Sequence, residues 1–190
     1  VTGSNDTTIA GNITGAGGNL VKNDTGNLTL TGTNTYTGAT NINGGTLETS
    51  GTGTLDNATD VTVASGANYI VGNADTIATL TNNGAVNINA VTTVQNAFTN
   101  NSGGTINQAE DLTVSNALTN DGTLKVTATS SANVGTFVGA TTGTVDIDNN
   151  ETLTLNQSGN STYSGNITGL GGFTKAGGGN LTLSSSNSYA

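Results

Sequence analysis

Side chains able to do chemistry are scarce in this sequence. Its 190 residues hold 12 Asp plus Glu against 3 Lys, with no Arg, His, Cys, Met, Trp or Pro, for a formal net charge of -9. Without His and Cys there is no thiol nucleophile, no imidazole base, no Ser-His-Asp triad and no ordinary zinc or iron site. What remains is carboxylate, hydroxyl and amide chemistry. Glycoside hydrolysis by a carboxylate pair needs Asp or Glu on facing walls of a cleft. The candidates are Asp60, Asp75, Glu110, Asp111 and the cluster at Asp146. The stretch Asp146 to Glu151 opens like a calcium loop, with Asp146, Asp148 and Asn150 at alternate positions. Such a loop then needs Gly at its sixth place and Glu at its twelfth, where Glu151 and Gln157 stand. An acidic outward strand face running into a turn is the reading this leaves. The glycine-rich stretches Gly15 to Gly18 and Ala176 to Asn180 are not phosphate cradles. Neither leads into Lys-Ser/Thr, and Leu20 and Thr174 occupy the place of the last glycine in GxGxxG. They read as tight turns. No catalytic, cofactor-binding or metal-binding residue is therefore expected.

Charge closes further classes. Three Lys cannot release the counterions that dominate binding to phosphate backbones, and an acidic surface is repelled by nucleic acid and anionic headgroups. No run approaches the ~20 apolar residues of a membrane helix. Cysteine-free, the chain has no disulfides in any compartment. The absence of Met and of a charged-then-apolar opening leads to the expectation of an interior piece of something longer. Eleven Asn-x-Ser/Thr sequons, among them Asn12, Asn27, Asn57 and Asn166, are little more than Ser and Thr at over a quarter of positions would give by chance. They remain candidate surface acceptors.

The elements that would hold these residues show up as repeats. Val1 to Thr37 returns as Leu155 to Ala190: Gly11 to Gly15 match Gly165 to Gly169, Lys22 matches Lys175, and Asn27 to Leu30 match Asn180 to Leu183. The expected organisation is one long unit at 1–154 and the start of a second at 155–190. A shorter period lies inside it. Thr79 to Ile88, Ala97 to Asn107 and Ala117 to Val126 align Leu80, Phe98 and Leu118, then Asn82, Asn100 and Asn120, then Val86, Ile106 and Leu124. Apolar residues alternate with period two, so Leu28, Leu30, Val145, Ile147, Leu153 and Leu155 face one way while Thr29, Asp146, Asp148 and Thr154 face the other. Helical three-four spacing is absent. Short strands joined by Gly and Asn corners at steps of about 18 to 20 residues predict an all-β chain, a right-handed parallel β-helix. Asn82, Asn100 and Asn120 would then stack as an amide ladder, or else stand solvated at the corners and supply only positive φ. Thr29, Thr31, Thr33, Thr35 and Thr37 alternate too, but a threonine array needs the same pattern on successive coils, so they read as a face of β-formers.

Gly18, Leu20, Lys22, Gly26, Leu28, Leu30, Gly32, Asn34, Tyr36, Gly38, Thr40, Ile42, Gly45, Thr46 and Leu47, with the second copy from Gly169, carry a likeness. In these positions the chain resembles the autotransporter-associated β-strand repeat, also called the passenger-associated transport repeat, of Gram-negative autotransporter passengers. The resemblance implies a non-catalytic structural segment of an adhesin-like passenger. It also implies export across the outer membrane through a β-barrel, and a place at the cell surface or outside the cell. The partners to expect are neighbouring repeats of the same chain or further copies of it, with host surfaces or glycans as candidates and no nucleic acid or membrane insertion. Two other readings stand beside it: a filament subunit stacking end to end through exposed strand edges, and a polysaccharide-degrading β-helix enzyme.

Overall fold

A computed structural model describes residues 1–190. It is all-β, with 22 strands and no helix, wound as a parallel β-solenoid of about nine turns. One nine-stranded sheet runs from Thr7–Ile9 to Asn166–Gly169, and an eleven-stranded sheet contains Leu20–Lys22 at one end and Gly172–Ala176 at the other. All strand pairing is parallel, and strands inside the two long sheets pair with the coils above and below them.

Register turns the sequence period into columns. On the first sheet Leu28, Leu47, Tyr69, Val86, Ile106, Leu124, Val145 and Ile167 lie on one another and are all fully buried. On the second, Val61, Leu80, Phe98, Leu118 and Phe137 do the same. Strands stack about 4.8 Å apart, so each inward side chain rests on its counterpart one coil away, and 33 buried residues form a single axial core. Stability in such a stack grows by nearest-neighbour contact.

Coil length is less uniform than the short repeats suggest. Steps along the Leu28 column are 19, 22, 17, 20, 18, 21 and 22 residues, against the expected 18 to 20. The strands stay in register because the turns absorb the difference, and turn backbone lies outside the ladder. On the outer face Thr29 stands in a mixed column, in line with the sequence reading. The column on Thr29 continues as Glu48, Ile70, Asn87, Asn107, Lys125 and Asp146, so it is no threonine array. A threonine column exists elsewhere: Thr62, Thr81, Thr99 and Thr119 follow one another on four coils. Parallel sheets are ordinarily covered on both faces. Here the uncovered face is built of β-branched hydroxyls and amides that suit both a pleated strand and water.

Candidate functional site

The polar groups inside the solenoid are its most specific feature. Asn82, Asn100 and Asn120 are fully buried. Asn82 Nδ2 donates to Asn100 Oδ1 at 2.8 Å, Asn100 Nδ2 donates to Asn120 Oδ1 at 2.8 Å, and Asn120 Nδ2 donates to the Tyr163 hydroxyl at 3.0 Å. Each amide also donates to the backbone of the following coil, at Thr105 O, Thr123 O and Thr144 O. The ladder expected from spacing is present, one member longer than the sequence showed. None of the three asparagines has positive φ, so a left-handed backbone is not why Asn stands there. Tyr163 in turn stacks on Phe137 with ring centroids 4.5 Å apart.

Lys22 begins the same inward column, which runs Lys22, Ile42, Val63 and on to Asn82. It is 2% exposed. Its ammonium donates to Asn23 O at 2.7 Å, Asp24 O at 2.9 Å and, on the next coil, Gly44 O at 3.1 Å. A buried cation is tolerated when its donors are satisfied, and three carbonyls match the three donors of an ammonium. Asp24 takes a left-handed conformation, φ 60°, at this turn. The recurrence of Lys with Lys175 was visible in the sequence; its burial was not, because Lys is normally a surface residue.

The carboxylates are dispersed. Asp60 accepts from Thr79 Oγ1 at 2.6 Å, Asp111 from Ser131 N at 2.7 Å, and Glu110 is exposed. Around the DIDNNE stretch, Asp146 faces outward, Asp148 pairs with Lys125 at 3.3 Å, Glu151 accepts from Thr129 Oγ1 at 2.9 Å, and Gln157 points into the core. Asn150 makes the turn with φ 65°. No three acidic side chains converge. The glycine stretches form turns: Gly18 N donates to Gly15 O at 3.0 Å, and a Cβ on Gly179 would lie 2.2 Å from Gly159 O of the coil below. Of the sequons, Asn12, Asn27 and Asn57 are exposed and Asn166 is half-buried.

Asp75 stands apart. It is 7% exposed and accepts from Leu55 N at 3.0 Å, across coils, and from Thr76 N at 2.9 Å. Burial pushes its carboxyl up to about 7, with the two amides pulling back. Close by, burial and the Asp75 charge also raise the Tyr36 hydroxyl, which is bonded to Thr40 Oγ1 at 2.7 Å, and the fully buried Tyr69 hydroxyl. Asp75 opens on one side to a depression lined by Thr54, Asn57, Thr76, Val91 and Thr93, in which it is the one acid. A lone carboxyl can move a proton but has no second carboxylate to serve as nucleophile or base in the two-carboxylate scheme. A longer groove over Ser115, Asn133, Gly135, Asn156 and Ser158 contains hydroxyls and amides but no titratable group.

Asp75 makes stability depend on pH in a direction opposite to most carboxylates. Its folded-state proton affinity is raised above the unfolded value, so its contribution is fully present below about pH 4 and is lost as pH rises through about 7. Each tenfold change in proton affinity is worth about 1.4 kcal/mol. Comparing wild type with Asp75→Asn in denaturant melts from pH 5 to pH 8 should show wild type losing a few kcal/mol relative to the variant. Parallel curves across that range would refute the assignment.

The molecule is thus a solenoid whose apolar axial core contains an ordered column of buried polar groups. Residues 20–49 and 173–190 match the family described as Passenger-associated-transport-repeat. The two matched segments carry Lys22 and Lys175. A similar curated protein is described as "Adhesin BmaC autotransporter", from Brucella suis biovar 1 (strain 1330). It is 43% identical over 75 residues, a stretch that covers 38% of this chain and 2% of that protein. The chain therefore spans only a small part of that relative's length. No solved structure matches it.

Proposed function

We propose that this chain is a non-catalytic, load-carrying segment of an autotransporter-type adhesin passenger, exported across the outer membrane of a Gram-negative cell and held at the cell surface. The observation that carries this reading is the continuity of the two matched segments with the rest of the rod. The first matched segment contributes strands to both long sheets, and the second continues the eleven-stranded sheet at Gly172–Ala176 and stacks Leu181–Leu183 on Ser161–Tyr163, so the segment extends length by stacking. The dispersion of its carboxylates favours a structural role. Its outer columns of Thr and Asn serve as solvated display surface.

The test is surface display. With an epitope ahead of Val1, the chain is placed between a secretion signal and an outer-membrane β-barrel in a Gram-negative host. The epitope should be reachable by antibody on intact cells, and the rod should resist proteinase K. Retention in the periplasm, or complete digestion at the surface, would sink the proposal. Release of reducing ends from a panel of polysaccharides, abolished by Asp75→Asn, would overturn its non-catalytic part.

A further inference from the structure

Three corners of the solenoid carry Asn or Asp followed by Gly: Asn43 with Gly44, Asn83 with Gly84, and Asp121 with Gly122. At all three a strand of the eleven-stranded sheet turns into one of the nine-stranded sheet. Each follows a residue of one inward column, namely Ile42, Asn82 and Asn120. What stands in that column and on its neighbouring coil decides what the corner amide can do. Gly84 N donates to Asn82 Oδ1 at 3.0 Å, and Gly122 N donates to Asn100 O at 3.2 Å. Ile42 offers no side-chain acceptor, and Gly44 N donates to no protein group. The Asn83 side chain is held at both ends as well. Its Nδ2 donates to Val63 O at 3.3 Å, and its Oδ1 accepts from Asn101 Nδ2 at 2.8 Å. Gly84 O accepts from Thr105 N at 2.8 Å. Asn43 is exposed, and its side chain has one tether, from Nδ2 to Asn23 Oδ1 at 2.9 Å. Its corner is also longer: Asn43, Gly44 and Gly45 lie between Ile42 and Thr46, whereas only Asn83 and Gly84 lie between Asn82 and Ala85.

We infer that Asn43 is a site of spontaneous modification, closing through the Gly44 amide to a succinimide that water opens to aspartate or isoaspartate. Gly44 N gives its proton to solvent and bonds to Asn43 Cγ. The Cγ–Nδ2 bond breaks, and the side-chain nitrogen leaves as ammonia. Water then adds to one ring carbonyl and the ring C–N bond there breaks, with no oxidant or reductant involved. An unbonded amide beside an exposed, lightly tethered side chain is an intramolecular nucleophile held close to its target. Glycine at the next two positions, the second at φ 62°, leaves the corner backbone free to turn into the ring. Isoaspartate lengthens the main chain by one carbon between Asn43 and Gly44. That displaces Gly44 O from Lys22 Nζ, which it meets at 3.1 Å, and leaves a buried ammonium one acceptor short. Either product also sets a carboxylate against Asn23 Oδ1, which loses its amide donor. The modification therefore weakens the coil around Lys22. It requires no enzyme and is independent of where the protein works.

The test is to incubate the full chain at mildly alkaline pH and follow Asn43 and Asn83 by peptide mass spectrometry, with fragmentation separating isoaspartate from aspartate. Both are Asn-Gly, so in concentrated urea the two should react at the same rate. In the folded chain Asn43 should react at least about tenfold faster, because hydrogen bonds must break before the ring can close at Asn83. Asn82→Ala removes the acceptor of Gly84 N and should speed the Asn83 reaction at least about fivefold in the folded chain. Asn100→Ala breaks the same ladder and costs more stability, but it leaves that acceptor in place, so Asn83 should stay slow. Equal folded-state rates at Asn43 and Asn83 would overturn the inference. So would acceleration of Asn83 by Asn100→Ala as large as that by Asn82→Ala.

Discussion

Ile106→Asp is expected to unfold most of the rod, whereas Asn107→Asp, one residue on, should leave its melting temperature nearly unchanged. Ile106 is fully buried between Val86 and Leu124 in the middle of the axial core. A carboxylate there has no donor to meet it, and burying an unpaired charge costs several kcal/mol even after local relaxation. That is a large fraction of the ~5–15 kcal/mol that holds a typical domain together. Because coils stack only on their neighbours, a break in the central coil also uncouples the two halves. Asn107 faces outward between Asn87 and Lys125. Its replacement loses the 2.9 Å bond from its Nδ2 to Asn87 Oδ1 but sets a negative charge beside Lys125. Thermal melts of both variants decide the matter, and equal losses would refute the inward and outward assignment.

Asn100→Ala should give the next largest loss, on the order of 2–4 kcal/mol, from one side chain without charge. The Asn100 amide donates to Asn120 Oδ1 and Thr123 O and accepts from Asn82 Nδ2. Each hydrogen bond is worth roughly 1 kcal/mol net, and an orphaned buried partner adds about 1–3. Asn120 Oδ1 would be left without its donor. Asn120→Ala should cost nearly as much, since Tyr163 continues the ladder beyond it. Asn82→Ala should cost least, because the ladder begins there. Asn100→Gly should be no milder than Asn100→Ala, because the backbone is not left-handed at this position. Urea melts giving Asn100→Gly wild-type stability would contradict the ladder.

The solenoid was legible because its signals are local and repeated. Period-two alternation at Leu28, Leu30, Val145 and Ile147 gave the faces, and the recurring Asn82, Asn100 and Asn120 gave the stacking register. Composition gave the shortage of reactive side chains. Other features depend on which coil lies on which, and that is hidden wherever turns vary in length. The threonine column Thr62, Thr81, Thr99 and Thr119 was missed for this reason: its members are 19, 18 and 20 residues apart, while the eye is drawn to the adjacent alternation at Thr29 to Thr37. The extension of the ladder to Tyr163 was missed because it changes residue type. Burial of Lys22 and Asp75 could not be read from residue type, since both side chains belong on surfaces by ordinary preference. The one available signal was that Lys recurs at 22 and 175 in a chain holding only three Lys.

Excision of one coil tests the continuous solenoid most directly. Deleting Ala85–Gly104 joins Gly84 to Thr105, and Ala85 and Thr105 are register partners, so each remaining strand finds a neighbour with the same faces turned inward. Leu80 then meets Leu118, and Asn82 meets Asn120. Deleting Ala85–Gln95 instead removes part of a coil, so that after the corner at Gly84 the chain offers Phe98–Asn100, a strand of the eleven-stranded sheet, where Ala85–Ile88 of the nine-stranded sheet is due, and the coil can no longer close in register. Circular dichroism and thermal melts of the two deletions should show the first retaining full β-structure per residue and melting within a few degrees of wild type, and the second losing its cooperative transition. Equal damage by both deletions, or equal tolerance of both, would contradict the account.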